Sequence, residues 1–356
     1  MSTRPAEEIG TAPCPSCPLC GSAGEYVYLA QQDRLFGALG SWNFKRCANR
    51  ECRLIWLDPM PLASEIGKAY GAYYTHDDPV EPAPSQRENV GVLRKAYRRI
   101  KNAYLAAHYG YGTGGTKTGA LSMGELLYLL PPRRIQVDLE VRCLHAVPGG
   151  RLLDLGCGSG MWLSTMRDLG WRAEGVDFDP AAAAAAAARG LAVRCGSLER
   201  QGFPDATFDA ITMSHVVEHL PDPLQTLTEC ARILKPGGKL IVWTPNASSL
   251  GRGVFKQSWR GLEPPRHLHL FSPQSMCALL ERAGFSRISI RTRNSRFIWQ
   301  QSYLLSKQRT GAQTGSGGKP GNSLAPSVLA LMEAVLLVAF RDLGEWLDVQ
   351  ASRGHR

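Results

Sequence analysis

The chain contains 356 residues, of which 44% are hydrophobic and 20% are charged. This composition excludes a chain that is disordered throughout, and the length favours two domains over one. A formal net charge of +10 permits an anionic partner without requiring one. No apolar run reaches the roughly 18 residues of a membrane-spanning helix, and residues 1–10 lack the apolar core of a signal peptide. We therefore expect a cytoplasmic protein.

Five of the ten cysteines lie within the first 52 residues, and the others are scattered singly. In a chain expected to be cytoplasmic, such clustering favours metal binding over disulfides. A CxxC pair followed by a CxxxxC pair, joined by a hairpin, describes a zinc ribbon over residues 14–58 with a closed, structural Zn²⁺ site. The expected ligands are Cys17, Cys20, Cys47 and Cys52. Because the second pair is longer than CxxC, a metal-free ribbon and redox-active cysteines remain alternatives.

A helical and basic connector is predicted over residues 61–135. A short helical pattern covers 61–74, and apolar residues then repeat at helical spacing over 93–107. Five bases and no acid occupy residues 94–101. The ordinary interpretation of such a run is a solvated helix face; the alternatives are contact with anionic lipid headgroups or with nucleic acid.

From residue 151 onward, short apolar runs alternate with longer helical stretches. This alternation predicts a parallel sheet with helices on both faces, within a domain spanning 136–352. A flexible loop is expected over 308–323. The apolar segment 324–343 is expected to be a helix that packs on the sheet, with a membrane-surface helix as the alternative.

A glycine-rich loop provides the strongest chemical signal. Asp154-Leu-Gly156-Cys-Gly158-Ser-Gly160 follows one predicted strand and precedes a helix. Glycines allow the backbone to turn sharply and approach a ligand, and the free amides of a helix start offer donors. The next strand ends at Asp177, whose carboxylate could accept hydrogen bonds from both hydroxyls of a ribose.

Four segments in order, LLDLGCGSG, GVDFDP, FDAITMSHVVEHLPDP and ILKPGGKLIVWTPN, resemble class I AdoMet-dependent methyltransferases. The resemblance implies an α/β, Rossmann-like, seven-stranded sheet whose last two strands are antiparallel, with S-adenosyl-L-methionine as methyl donor. It implies that the three glycines line the methionine half of AdoMet, that Asp154 orients its amino end, and that Asp177 binds the ribose. It further places Ser197 and Leu198 at the adenine, and Ser214 and His215 on the sulfonium side.

Candidate general bases follow the fourth strand of the predicted sheet. His215, Glu218 and His219 share one face of a helical turn. We predict His219 as the general base because an unperturbed imidazole titrates near neutral pH, with His215 and His267 as rivals. A purely structural His219 is an alternative. A metalloprotease HxxEH site is disfavoured because a proline ends the turn almost at once.

A second cluster lies in WRGLEPPRHLH, at residues 259–269. Trp259 could stack on a sugar or an aromatic ring, Arg266 could bind a carboxylate or phosphate, and His267 could also contact the substrate. In the alternative interpretation, Trp259 packs on the core and Arg266 is paired with Glu263.

The segments CPLCG and SWRGLEPPRHLHLFSP resemble a bacterial group of enzymes encoded among polysaccharide and secondary-metabolite genes. This resemblance implies methyl transfer to a hydroxyl, or an amine, of a sugar, glycolipid precursor or secondary metabolite. The expected partner is a small-molecule or lipid-linked glycan, with peripheral contact at the inner face of the membrane as a further expectation. The alternatives are a zinc-ribbon RNA base methyltransferase, a ubiquinone-type O-methyltransferase and an inactive AdoMet-binding protein. Nucleic acid is disfavoured because the bases are not interleaved with aromatic residues.

Overall fold

The computed structural model describes residues 8–70, 91–112, 123–309, 333 and 340–354. The chain divides into two compact units, one formed by Met1–Tyr73 with Met213–Arg356 and the other by Tyr74–Thr212. Most of the predicted loop 308–323 and most of the predicted helix 324–343 lie outside the described residues. Of the described part of 324–343, residue 333 is helical, whereas 340–343 are not, so the helix does not extend to 343. The three-part division at 14–58, 61–135 and 136–352 stays a prediction.

Helices and strands alternate through the second half of the chain, as the sequence pattern predicts. The helices in the described residues are α1 (Val92–Tyr104), α2 (Pro131–Glu140), α3 (Met161–Asp168), α4 (Pro180–Ala188), α5 (Pro223–Ile233), α6 (Leu250–Phe255), α7 (Pro273–Arg282) and α8 (Arg296–Arg309). The strands are β1 (Thr11–Ala12), β2 (Gly24–Gln31), β3 (Trp42–Cys47), β4 (Ile55–Leu57), β5 (Met60–Pro61), β6 (Arg151–Leu155), β7 (Arg172–Asp177), β8 (Ala192–Cys195), β9 (Phe208–Ser214), β10 (Leu234–Pro245), β11 (His269–Leu270), β12 (Phe285–Arg293) and β13 (Trp346–Arg353).

Seven strands form the main sheet in the order β12-β13-β10-β9-β6-β7-β8. Strands β6, β7 and β8 pair in parallel, whereas β13 runs antiparallel to both β10 and β12. The predicted Rossmann-like methyltransferase sheet with an antiparallel end is therefore confirmed. Parallel strands need crossover connections, and helices α3 and α4 supply them between β6 and β7 and between β7 and β8.

In the unit Tyr74–Thr212, local sequence accounts for the elements that carry the glycine loop. Strand β6 buries Leu152 and Leu153 completely, as expected for a strand covered on both faces. Helix α4 begins with Asp179 as N-cap, whose side chain accepts a hydrogen bond from the backbone of Ala181, and with Pro180 in the first turn. These caps fix the point where β7 ends and α4 starts.

In the other unit, a four-stranded sheet has the order β11-β4-β3-β2. The three N-terminal strands pair antiparallel, and β11 adds to β4 through His269 opposite Trp56. Phe44 and Leu57 from the N-terminal strands share one buried hydrophobic cluster with Trp259 and Leu268. The cysteine-rich segment and the segment around 259–270 therefore fold around a common core.

Two predicted elements differ in the structure. Where the structure describes the predicted helical pattern 61–74, Pro61 belongs to strand β5, which pairs with β1, and a 3-10 helix covers Ile66–Tyr70. Residues 71–74 lie outside the described residues. Residues 308 and 309, expected in a loop, belong to α8. The first pattern is too short to sustain an α-helix, because nucleation is costly and Gly67 weakens it. Within the described residues, no helix is long and apolar enough to cross a membrane.

Candidate functional site

The glycine loop joins β6 to α3 in a backbone conformation that favours glycine. Gly156, Gly158 and Gly160 have φ angles of 66°, 54° and 79°. A residue with a Cβ adopts such angles only at a cost in conformational energy. A Cβ on Gly160 would lie 2.4 Å from Leu191 Cδ1. Gly160 is also the N-cap of α3, so the loop ends at free backbone amides that can bind an anionic or polar group.

Asp177 closes this loop from the end of β7. Its Oδ2 accepts a hydrogen bond from the backbone N–H of Gly158 at 2.8 Å, and its Oδ1 accepts one from Asp179 at 3.0 Å. Burial raises the pKa of this carboxyl. Each carboxylate oxygen can accept more than one hydrogen bond, so the donors already present leave capacity for ligand hydroxyls. The ribose role of Asp177 stays a prediction that this geometry fits.

Asp154 is held from behind by a residue that sequence reasoning missed. Its Oδ1 accepts hydrogen bonds from Arg142 Nη1 at 2.6 Å and from Thr212 Oγ1 at 2.6 Å. The Arg142 guanidinium lies 3.6 Å from the ring centroid of Trp162. Arg142 is buried and has a φ of 48°. No motif marks this arginine, because its role depends on a contact across twelve residues.

The predicted adenine side contains one buried and two exposed side chains. Leu198 is buried in the core, whereas Ser197, just after β8, is exposed. Phe178 follows Asp177 directly and is 52% exposed. A large aromatic side chain that is half exposed at a strand end is a candidate stacking surface that sequence reasoning missed. An aromatic residue between Asp177 and Asp179 was the available signal.

At the end of β9, Ser214 is half-buried and His215 is exposed in a left-handed conformation, with φ of 56°. The His215 ring stacks on Trp346, with centroids 5.7 Å apart, and its Nδ1 lies 3.3 Å from Glu218 Oε1. Backbone strain at a non-glycine residue is common at functional sites. A carboxylate behind an imidazole orients its ring.

Glu218 is completely buried and accepts a hydrogen bond from Thr244 Oγ1 at 2.9 Å. Burial raises the pKa of this carboxyl, but the hydrogen bond with His215 and the nearby imidazoles outweigh that effect and lower the pKa to about 2. The group is therefore ionised at neutral pH. Its position at the centre of the histidine cluster could not be read from the spacing alone.

His219 ends a single 3-10 turn, Val217–His219. Its Nδ1 lies 3.0 Å from the backbone carbonyl oxygen of Arg266 and 2.9 Å from the Tyr70 hydroxyl. Because a carbonyl only accepts, the proton belongs on Nδ1 and the lone pair on Nε2. Burial lowers the pKa of His219, which keeps the ring neutral and able to accept a proton.

His267 completes this cluster. It is buried, and its Nδ1 donates to the Gly261 carbonyl at 2.8 Å. The rings of His219 and His267 lie with centroids 4.7 Å apart. One carboxylate oxygen of Glu218 and one ring nitrogen of each histidine lie within 4.8 Å of one another. His215 and His219, the pair that HxxEH spacing suggests, do not form such a group together, because His215 turns toward Trp346.

The structure favours the packing alternative for Trp259 and Arg266. Trp259 is 1% exposed, and its indole N–H donates to Glu345 Oε2 at 2.7 Å. Arg266 is 0% exposed and lies between the carboxylates of Asp33 and Glu263, each 2.9 Å away. Substrate contact by either side chain would require it to leave these buried partners. The partner Asp33 lies 233 residues away in sequence, which no local pattern reveals.

The four predicted cysteine ligands come together, and Cys14 lies apart from them. The Sγ atoms of Cys17, Cys20, Cys47 and Cys52 lie within 4.8 Å of one another. The distances are 3.7 Å between Cys17 and Cys52 and 3.4 Å between Cys20 and Cys47. Ligands about 2.3 Å from a tetrahedral Zn²⁺ are about 3.8 Å apart, so the donor set fits this metal. The longer CxxxxC loop closes in a turn, in which the backbone N–H groups of Cys52 and Arg53 both donate to the Asn49 carbonyl at 3.1 Å.

Part of the chain resembles a family of known proteins. Residues 133–290 match the family described as "Methyltransferase domain". This match covers less than half of the chain, and it shows that residues 133–290 are similar to a methyltransferase domain.

Curated relatives match only part of the chain. A protein of Mycolicibacterium smegmatis named "Probable S-adenosylmethionine-dependent methyltransferase" is 35% identical over 155 residues, which are 43% of this chain and 58% of that protein. A "Ubiquinone biosynthesis O-methyltransferase" of Alkalilimnicola ehrlichii is 34% identical over 119 residues, which are 32% of this chain and 48% of that protein. The chain thus spans about half the length of these relatives.

Solved structures include more distant matches. A SAM-dependent methyltransferase of Archaeoglobus fulgidus is 19% identical, with a TM-score of 0.41, covering 64% of this chain and 94% of that one. One of Mesorhizobium loti is 19% identical, with a TM-score of 0.42, covering 61% and 97%.

Proposed function

We propose that this chain transfers a methyl group from AdoMet to a hydroxyl, or an amine, of a sugar, glycolipid precursor or secondary metabolite. The observation that carries the proposal is the glycine loop closed by Asp177, in a segment that matches methyltransferase domains. A relative named an O-methyltransferase supports oxygen as the acceptor atom. The sugar or metabolite class rests on the resemblance of the N-terminal and 259–269 segments alone.

On the donor side, AdoMet supplies an activated methyl group on a positively charged sulfur. Gly156, Gly158 and Gly160 would let the backbone approach the methionine half, and Asp177 would accept the ribose hydroxyls. Asp154, fixed by Arg142, would orient the amino end. Phe178 would stack on the adenine, with Ser197 and Leu198 at its edge. Ser214 and His215 would face the sulfonium side.

On the acceptor side, a hydroxyl must lose its proton as it attacks the methyl carbon. His219 presents Nε2 as a neutral acceptor, because Nδ1 already donates to the Arg266 carbonyl. His215 is the rival base: it is exposed and has Glu218 behind it. The buried His267 would support the cluster electrostatically rather than contact substrate.

We also propose that the N-terminal cysteine cluster holds a structural Zn²⁺. Four thiolates leave no open coordination position, so the ion would organise the two knuckles and take no part in methyl transfer. Peripheral membrane contact stays a prediction, because most of the apolar segment that suggested it, 324–343, lies outside the described residues.

Donor binding is tested by substituting Asp177. We expect Asp177→Asn to weaken AdoMet binding at least tenfold, which is about 1.4 kcal/mol of binding free energy. The reason is that an amide nitrogen cannot accept a hydrogen bond from a ribose hydroxyl. Asp179→Asn is the matched control: Asn also caps a helix, so affinity should be unchanged. Isothermal titration calorimetry with AdoMet measures both. Equal affinities for Asp177→Asn and wild type would refute the ribose role.

Acceptor class is tested by incubating the purified protein with methyl-labelled AdoMet and a total cell extract. The extract is afterwards separated into glycolipid, small-molecule and RNA fractions. Label in the glycolipid or small-molecule fraction would support the proposal. Label in RNA would overturn the acceptor class, and no label in any fraction, with AdoMet still bound, would point to the inactive AdoMet-binding alternative.

The base is tested with His219→Gln and His215→Gln. We expect His219→Gln to lower turnover by 10²–10⁴-fold, the usual contribution of general acid–base catalysis, while AdoMet affinity is unchanged. If turnover is instead lost only in His215→Gln, the base is His215, oriented by Glu218.

A further inference from the structure

Tyr70 makes a contact with His219 that no sequence motif foretells. It is the last residue of the 3-10 helix Ile66–Tyr70, just after the cysteine-rich segment. Its hydroxyl lies 2.9 Å from His219 Nδ1, and the two ring centroids are 6.0 Å apart. The two residues are 149 positions apart in sequence. An N-terminal residue therefore reaches the ring that we propose as general base.

This contact is held by a second connection between the same two regions. The carbonyl of Ala69, the residue before Tyr70, accepts a hydrogen bond from Arg266 Nη1 at 2.9 Å. Arg266 in turn supplies the backbone carbonyl that accepts from His219 Nδ1. Arg266 is further anchored by Asp33. The position of Tyr70 relative to His219 is thus set by buried polar contacts on both sides.

The chemistry of the contact follows from what each atom can do. The Nδ1 proton of His219 can be shared between two acceptors, the Arg266 carbonyl and the Tyr70 oxygen, whereas Nε2 keeps its lone pair. Hydrogen bonds accepted from an imidazole favour its protonated form. The other groups facing His219 are Glu218 from its own turn, Glu263, Arg266 and His267 from the segment after α6, and His215.

We propose that Tyr70 is a positioning residue for methyl transfer and that the 3-10 helix Ile66–Tyr70 is thereby part of the acceptor-side centre. Tyr70 fixes the ring of His219 with Nε2 as the proton acceptor. The acceptor oxygen bonds to the methyl carbon as the carbon–sulfur bond breaks, the acceptor proton passes to Nε2, and Tyr70 stabilises the resulting imidazolium through Nδ1–H. This role rests on the proposed function.

The first test is independent of the acceptor. Tyr70→Phe removes only the hydroxyl, and NMR of ¹⁵N-histidine-labelled protein reports the tautomer and titration of each ring, with His219→Gln used for assignment. We expect the His219 signals to move and its titration midpoint to fall, because one acceptor for Nδ1–H is lost. Tyr28→Phe is the matched control: it removes a hydroxyl bonded to Arg252 instead and should leave His219 unchanged. Unchanged His219 signals in Tyr70→Phe would overturn the proposal.

The second test measures label transfer from methyl-labelled AdoMet to the active extract fraction. We expect Tyr70→Phe to lower kcat about tenfold, to shift the acid limb of the kcat profile to lower pH, and to leave AdoMet affinity unaltered. A wild-type kcat and pH profile in Tyr70→Phe would overturn the catalytic part even where the NMR signals move. Failure of wild-type protein to transfer label would instead overturn the proposed function itself, so the two failures are distinguishable.

Discussion

The buried ion pair between Asp33 and Arg266 permits a quantitative prediction about stability. Arg266 is 0% exposed, and its Nη1 and Nη2 each lie 2.9 Å from an oxygen of Asp33. The Nε–H of Arg266 donates to the Glu263 carboxylate at 2.9 Å, and Arg260 forms an ion pair with the same carboxylate. The four charges therefore balance as two positive and two negative. Asp33→Asn leaves one positive charge uncompensated in the interior.

Removing one partner of a buried ion pair costs about 3–5 kcal/mol. The loss should reach the upper part of this range because Asp33 also accepts backbone hydrogen bonds from Leu35, Phe36 and Ala38, at 2.8–3.1 Å. An asparagine keeps one acceptor oxygen and presents an N–H₂ group to those donors. We therefore expect the free energy of unfolding to fall by about 4–5 kcal/mol.

Urea denaturation followed by tryptophan fluorescence measures this change for wild type and Asp33→Asn. Glu25→Gln is the matched control in the same unit: its pairing with Arg46 is 3.9 Å long and solvent-exposed, so it should change stability by less than about 1 kcal/mol. A loss for Asp33→Asn as small as that of the control would refute the argument that the buried guanidinium depends on Asp33.

Three further predictions concern metal, pH and the glycine loop. Elemental analysis should find about one zinc per chain, lost in Cys20→Ser but kept in Cys14→Ser; zinc-free folded wild type would contradict the ribbon. Burial lowers the pKa values of His267 and His269 to about 4. The unfolded chain therefore binds more protons than the folded chain between pH 4 and 6.5, so the urea midpoint should fall as the pH is lowered through this window. Each histidine should lower the free energy of unfolding by up to about 3 kcal/mol. A urea midpoint that does not change with pH would contradict the burial of these two rings. Gly160→Ala should weaken AdoMet binding, measured by calorimetry, because its φ of 79° disfavours a residue with a Cβ and the added Cβ would lie 2.4 Å from Leu191 Cδ1, which would displace the loop; unchanged affinity would contradict the proposed role of this loop in AdoMet binding.

The sequence determined the features whose physics is local. Alternating apolar runs predicted the sheet. The DxGxGxG loop and the strand ending at Asp177 predicted where the residues proposed to bind AdoMet lie. Cysteine spacing alone selected the four thiols that the structure brings together and set Cys14 aside. Each of these inferences rests on residues within one strand, one turn or one knuckle, where neighbouring positions fix the geometry.

Tertiary structure decided the features that depend on contacts between distant segments. The sequence suggested that Trp259 and Arg266 contact substrate, yet both side chains are buried. Trp259 donates to Glu345, 86 residues away, and Arg266 pairs with Asp33, 233 residues away. Tyr70 and Arg142 carry no motif and acquire their proposed roles only through partners brought near by folding. Burial and hydrogen bonding are set by the whole fold. The glycine loop could therefore be predicted from the sequence, whereas the environment of His219 and His267 could not.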